Sequence, residues 1–177
     1  MSDKIALFIG PSGSGKTTIA EYLTKHYGLT QIESYTTRAP RYEGEVGHIF
    51  VSNEEFDKLK DFVAYTEFDG NRYAATAEQV DGNDIYVVDV AGAEYFKEKY
   101  HGPKKPVVFY FNLPQDVLRR RMLNRGDVFS AVMRRMDNDE KMFENVGARL
   151  CELYDEVWPI ENYDVQSTAQ QIISYLR

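Results

Sequence analysis

The stretch GPSGSGKTT, Gly10 to Thr18, sets two glycines five positions apart and follows them at once with a lysine and hydroxyl residues. Glycines so placed let successive backbone N–H groups turn toward one point and form a nest for an anion. A lysine there reaches the outer phosphates of a nucleoside triphosphate, and the hydroxyl after it suits Mg²⁺. Gly10-x-x-x-x-Gly15-Lys16-Thr17 is the P-loop pattern. Gly10, Ser12, Gly13, Ser14, Gly15, Lys16, Thr17 and Thr18 are the expected ATP-binding residues, with Thr17 a metal ligand. The competing reading is a glycine-rich turn with an incidental lysine. The apolar run KIALFI before the motif and the helical pattern after it argue against that, because a P-loop joins a strand to a helix. The positive end of that helix adds its own attraction for phosphate.

Other residues offer matching chemistry. Arg38 and Arg41 flank Pro40, close enough for two guanidinium forks to converge on one phosphate; solvation at the surface is the alternative. Asp89 ends the run IYVVD, where a carboxylate can meet a metal or its waters, or can cap the next helix. Six arginines, Arg119, Arg120, Arg121, Arg125, Arg134 and Arg135, concentrate positive charge in a chain whose formal net charge is −7. A polyanionic ligand must be drawn by that cluster, since the overall balance suggests neither a nucleic-acid polymer nor a membrane surface as partner.

A scaffold for these groups is legible. With 177 residues and 43% hydrophobic content the chain can bury the core of one domain. Cys151 has no partner for an internal disulfide and reads as a small buried residue of a reducing compartment. Neither a leader nor an apolar run of about 20 residues is visible, so the expectation is a cytoplasmic protein of open oligomeric state. Strand and helix patterns alternate. KIALFIG, Asp84–Val90, Pro106–Leu113 and EVWPI read as strands, the first as one buried on both faces. Thr17–Tyr27 (stopped by Gly28), Ala93–Tyr100, Pro114–Arg125, Asn145–Tyr154 and Thr168–Arg177 read as helices, with Pro114 in a first turn. That is an α/β fold with a parallel sheet flanked by helices. Two segments interrupt it. Residues 34–82 are rich in short β-like runs around a helix over Asn53–Lys60, whose Ser52 and Glu55 fit a capping box. Gly126–Phe143 is polar and helical in propensity, an element suited to closing over a ligand.

SYTTRAPRYEGE, Ser34 to Glu45, resembles the acceptor-binding signature of guanylate kinases. The resemblance continues through HIFVSNEEFDKL, FDGNRYAAT, NRGD and RRM, in order, over nearly the whole chain. It implies a P-loop NTPase core (1–33, 83–124 and 144–177), an inserted β-rich lobe that binds the nucleoside monophosphate (34–82) and a helical lid (125–143). It implies transfer of the γ-phosphate of Mg·ATP to GMP or dGMP. Lys16, Arg38, Arg41, Arg125 and Arg135 would be catalytic. Ser34, Arg38, Arg41, His48 (in place of a tyrosine), Tyr73 and Asp89 would hold the monophosphate, Tyr73 having a packing role as its rival. Asp89 would also serve the metal. The departures fall where the base is read. Ala64 and Ala91 stand at positions where the family has acids, so base selectivity is expected to be relaxed or altered. Glu67, brought in by a bulge, or Tyr65 or Asp69 could take over, and a slip in the alignment would remove the discrepancy. Rival readings are a kinase of this fold for another nucleotide or a sugar phosphate, and a non-catalytic interaction module.

Overall fold

The run ahead of the glycine loop forms strand β1 (Lys4–Ile9), fully buried from Ile5 onward. The computed structural model describes residues 3–40, 43–68 and 70–176. Side chains alternate across a strand, so Ile5, Leu7 and Ile9 enter one apolar layer while Ala6 and Phe8 enter another. Helices α1 (Lys16–Tyr27) and α8 (Val165–Leu176) cover the Phe8 side with Ile19, Leu23, Ala169 and Ile172. Helices α4 (Val90–Lys99) and α7 (Val146–Leu153) cover the Leu7 side with Ala93, Phe96, Val146 and Leu150. The sheet runs β6 (Ile85–Val87), β1, β7 (Lys105–Phe111), β8 (Val157–Ile160), every pair parallel. The expected α/β core is present. Two-sided burial is why its strands read as unbroken apolar runs.

The inserted segment folds as a second sheet, in the order β3 (His48–Phe50), β2 (Ser34–Thr36), β5 (Asn71–Thr76), β4 (Phe62–Phe68). The capping box forms: the Glu55 N–H donates to Ser52 Oγ at 3.1 Å and the Ser52 N–H to Glu55 Oε2 at 2.8 Å. The helix it opens, α2 (Asn53–Phe56), is shorter than expected, because the Lys58 and Leu59 N–H groups turn to Glu55 O and Phe56 O in tighter turns. A further helix, α3 (Ala77–Gly82), was not visible in the sequence pattern; a second capping box, Thr76 with Gln79, opens it.

Other boundaries move for local reasons. Asp89 caps α4, so the strand expected to reach Val90 stops at Val87. Pro114 lies extended at φ −55° and ψ 143° as the residue before α5 (Gln115–Asn124), outside its first turn. Asp164 accepts the Ser167 N–H at 2.8 Å and starts α8 ahead of Thr168. The polar excursion becomes α6 (Phe129–Met142). Cys151 is exposed rather than buried. The inward stripe of α7 is Val146 and Leu150, one helical turn apart, and the next residue faces away. Among the described residues no helix is long and apolar enough to cross a membrane.

Candidate active site

β1 delivers the chain into the glycine loop, and α1 leads away from it. Gly13 and Gly15 take φ of 79° and 90°, a left-handed conformation that side chains disfavour. A Cβ on Gly15 would also strike Asn162 Nδ2. Gly15 is the residue before α1 and no side chain caps that end, which leaves the first helical N–H groups to an anion.

The loop is braced from behind. Ser14 is fully buried, and its hydroxyl donates to Pro11 O at 2.7 Å. Asn162 Nδ2 donates to Ser14 O at 3.1 Å, and Arg121 Nη2 donates to Asn162 O at 2.5 Å. Thr168 Oγ1 donates to Asn162 Oδ1 at 3.3 Å, tying the brace to α8. Lys16 Nζ donates to Gly10 O at 2.6 Å and Pro11 O at 2.9 Å. Burial lowers its pKa to about 8, with Asp139 opposing the shift and Arg125 adding to it.

Two cavities open from this loop. One, of about 700 Å³, is lined by Ser12, Gly13, Gly15, Lys16, Thr17 and Thr18, faced by Arg121, Arg125, Arg135, Asn162 and Tyr163. Arg125 and Arg135 are oriented together by Asp127, which accepts from Arg125 Nη2 and Arg135 Nη1 at 2.6 Å each. The Arg125 guanidinium chiefly holds the Asp127 carboxyl below its usual range. Arg119, Arg120 and Arg134 are exposed, so half of the arginine cluster serves the cavity and half faces solvent.

The second cavity, of about 310 Å³, is lined by Ser34, His48, Thr66, Tyr73, Tyr86 and Asp89 among others. It shares Ser12, Lys16, Asp139 and Met142 with the first, so the two meet at the lysine. Ser34 Oγ and His48 Nδ1 are hydrogen-bonded at 2.9 Å, and the His48 ring stands edge-on to Tyr73. Asp89 Oδ1 accepts the Gly92 N–H at 2.6 Å, so the capping role read as an alternative is present. Burial, with the Asp89 carboxylate beside it, pushes the Tyr86 phenol well above its ordinary range.

Arg38 is not in the cavity wall. Its guanidinium forks onto Glu45 at 2.8 and 3.2 Å and lies 5.3 Å from the Phe50 ring centre. Glu45 chiefly, with Tyr73 in addition, raises its pKa. Its Nε is buried and has no partner among the described residues. Arg41 and Asp69 lie outside the described residues.

Glu67 does not reach the cavity, which corrects the expectation. Pairing sets Thr36 and Thr66 opposite Tyr73, and Ser34 opposite His48, so these groups share one sheet face. Glu67 alternates onto the other face, where its exposed carboxylate accepts from the Tyr65 hydroxyl; Tyr65, paired there too, still borders the cavity. The bulge in β4 falls between Phe62 and Ala64 and leaves the later pairing regular. Ala64 is on the cavity face and 1% exposed; Ala91 is exposed on the first turn of α4.

Sequence reasoning missed three residues. Asp139 donates nothing but accepts the Ser12 N–H at 2.7 Å and lines both cavities. Its spacing, one turn after Arg135 on α6, was a usable signal. Asp127 lay within the NRGD stretch without an assigned role. Asn162 had no local signal, because its partner Ser14 is 148 positions away.

A family model described as AAA domain matches residues 7–152. A guanylate kinase of Neisseria meningitidis is 36% identical over 146 residues, 75% of this chain and 70% of that one. One of Fusobacterium nucleatum is 29% identical over 186 residues, covering 97% and 95%. One of Clostridium tetani is 37% identical over 131 residues, where the chain spans 61% of that relative's length. The crystal structure of guanylate kinase from Anaplasma phagocytophilum superposes with a TM-score of 0.65 at 25% identity, covering 99% of this chain and 85% of that one. A braced P-loop opening onto two joined cavities, together with relatives at this level of identity and coverage, means that the chain belongs to the guanylate kinase family.

Proposed function

We propose that this protein transfers the γ-phosphate of ATP to the phosphate of GMP or dGMP, giving ADP and the diphosphate. The carrying observation is that Lys16 stands in the wall of both cavities. A donor phosphate chain in the larger cavity and an acceptor phosphate in the smaller would meet there. The relatives named above, all guanylate kinases, support the same reading.

Phosphoryl transfer asks little covalent chemistry of a protein. It needs two phosphates aligned in a dry site with their charge neutralised. In this reading Lys16 exchanges its loop carbonyls for phosphate oxygens. Arg125 and Arg135, already aimed by Asp127, spread the charge of the moving group. Arg38, and Arg41 with it, binds the acceptor phosphate once Glu45 is exchanged for that anion, with Tyr73 beside them. Residues 34–82 act as the monophosphate lobe and 125–143 as the lid, on a core of 1–33, 83–124 and 144–177.

The donor set fits Mg²⁺. Thr17 offers a hydroxyl in the larger cavity and Asp89 a carboxylate in the smaller. Among the described residues no group of three or more acids, histidines or cysteines makes a self-contained metal cage, which suits a hard cation held by one or two protein oxygens and by phosphates. When held by Thr17 and Asp89, the ion would supply positive charge that neutralises the phosphates.

The test is a coupled ADP-release assay with Mg·ATP. Release that requires both ATP and GMP, with GDP formed in equal amount, is the expected result. ATP hydrolysis indifferent to GMP, or no ADP at all, would overturn the reading.

A further inference from the structure

Guanine presents N–H donors beside its carbonyl, whereas adenine exchanges that pattern for an amino donor beside a ring acceptor. A pocket that insists on guanine needs a committed acceptor, and a carboxylate is one that cannot switch. Neither of the two carboxylates in the wall of the acceptor cavity, among the described residues, belongs to the sheet face that carries Ser34, His48 and Thr66: Asp89 caps α4 and Asp139 lies on α6, each giving one oxygen to a backbone N–H. Asp89 Oδ1 accepts from Gly92 N–H at 2.6 Å and Asp139 Oδ2 from Ser12 N–H at 2.7 Å. Glu67 is turned to the opposite sheet face and engaged with Tyr65.

The groups that do share the cavity face can present either polarity. Ser34 Oγ and His48 Nδ1 lie 2.9 Å apart. If that nitrogen accepts, the Ser34 hydrogen is spent on it and the serine offers lone pairs to the base. If the imidazole carries its proton on Nδ1, it donates to Ser34 Oγ and the serine hydrogen turns to the base instead. Thr66, opposite Tyr73 on the same face, adds a hydroxyl, a group that can donate or accept.

From this we infer that the Ser34–His48 couple, with Thr66, is an adaptable base reader, and that the acceptors are purine nucleoside monophosphates generally: GMP, IMP and AMP. The inference rests on the kinase reading above and goes beyond it in substrate class. A site built around fixed partners can reject analogues by factors of about 10⁴–10⁵. One whose partners change polarity cannot.

The experiment compares kcat/KM for GMP, IMP and AMP with Mg·ATP on the full chain. IMP and AMP within about 100-fold of GMP is the expected result. A larger preference for GMP over both overturns the inference while leaving the kinase reading intact. Turnover of none of the three removes the kinase reading and this inference together. A second variant installs the missing acceptor: Thr66→Glu, at a half-buried position already in the cavity wall, should raise the GMP-to-AMP ratio at least about tenfold. An unchanged ratio in a folded Thr66→Glu protein would place the base elsewhere and overturn the assignment. If that variant fails to fold, the comparison on the unmodified chain still decides.

Discussion

The carboxylate of Asp139, on α6, accepts the backbone N–H of Ser12 in the glycine loop at 2.7 Å, 127 positions away in the chain. It also acts on Lys16, whose pKa it raises against the effect of burial. An acid therefore stands on an amide of the glycine loop, and in the proposed function the triphosphate displaces it.

Replacing Asp139 should tighten nucleotide binding. Hydrogen bonds to charged groups contribute a net of about 1.5–3 kcal/mol, part of which the asparagine oxygen retains, so Asp139→Asn should lower the Kd of ADP or a non-hydrolysable ATP analogue by roughly five- to tenfold, about 1 kcal/mol. Titration calorimetry at low salt measures it. Weaker binding in the variant would show that Asp139 helps to hold the nucleotide rather than compete with it.

Lys16 should carry both rate and pH dependence. Lys16→Ala is expected to lose about 3–4 kcal/mol of transition-state stabilisation, roughly 10²–10³ in rate, and near-normal turnover would refute its role. Its pKa of about 8, below the ordinary 10.5, means that the folded chain binds fewer protons than the unfolded one between those values. Stability from this group therefore rises with pH across that window. Affinity for an anion runs the other way, since the ammonium is what phosphate attracts. The Kd for ATP should be flat below about pH 8 and then climb, by up to tenfold per pH unit, in a series from pH 7 to 9.5. The climb should disappear in Lys16→Arg.

Asp127 should matter for turnover more than for folding. It holds Arg125 and Arg135 on one carboxylate at the edge of the larger cavity. Both arginines are substantially exposed, so the pairs contribute at most about 1 kcal/mol to stability. Asp127→Asn should lower kcat by about tenfold with little change in melting temperature. A large loss of stability at unchanged kcat would mark the residue as structural.

Asn162 should do both. It is 3% exposed and holds Ser14 O and Thr168 Oγ1 together. Asn162→Ala leaves buried polar groups unpaired, a cost of about 1–3 kcal/mol, and loosens the glycine loop proposed to cradle phosphate. Denaturant unfolding and the KM for ATP should both shift. An unchanged KM in a destabilised variant would confine the residue to packing.

What was readable in the chain divides by range. The P-loop was, because glycine spacing, the strand before it and the helix after it are all set by neighbours within about a dozen positions. The same holds for the Ser52–Glu55 cap and for β1, whose seclusion on two faces shows as an unbroken apolar run. The second capping box shows where local reading still failed: Thr76 and Gln79 carry the signal, but the β-like runs around them masked it.

The sequence by itself determined the fold class, the glycine loop between β1 and α1 and the reservoir of arginines from which the candidate site is drawn. The tertiary structure decided which of them serve it. Strand register turned Glu67 outward and set Ser34, His48, Thr66 and Tyr73 on one face, since a shift of one position along a strand reverses every side chain. Packing of α5 and α6 over the loop chose Arg121, Arg125 and Arg135 from the cluster and brought in Asp139. Asn162 reached Ser14 through the order of strands in the sheet, which places β8 near the P-loop however far apart the two lie in the chain.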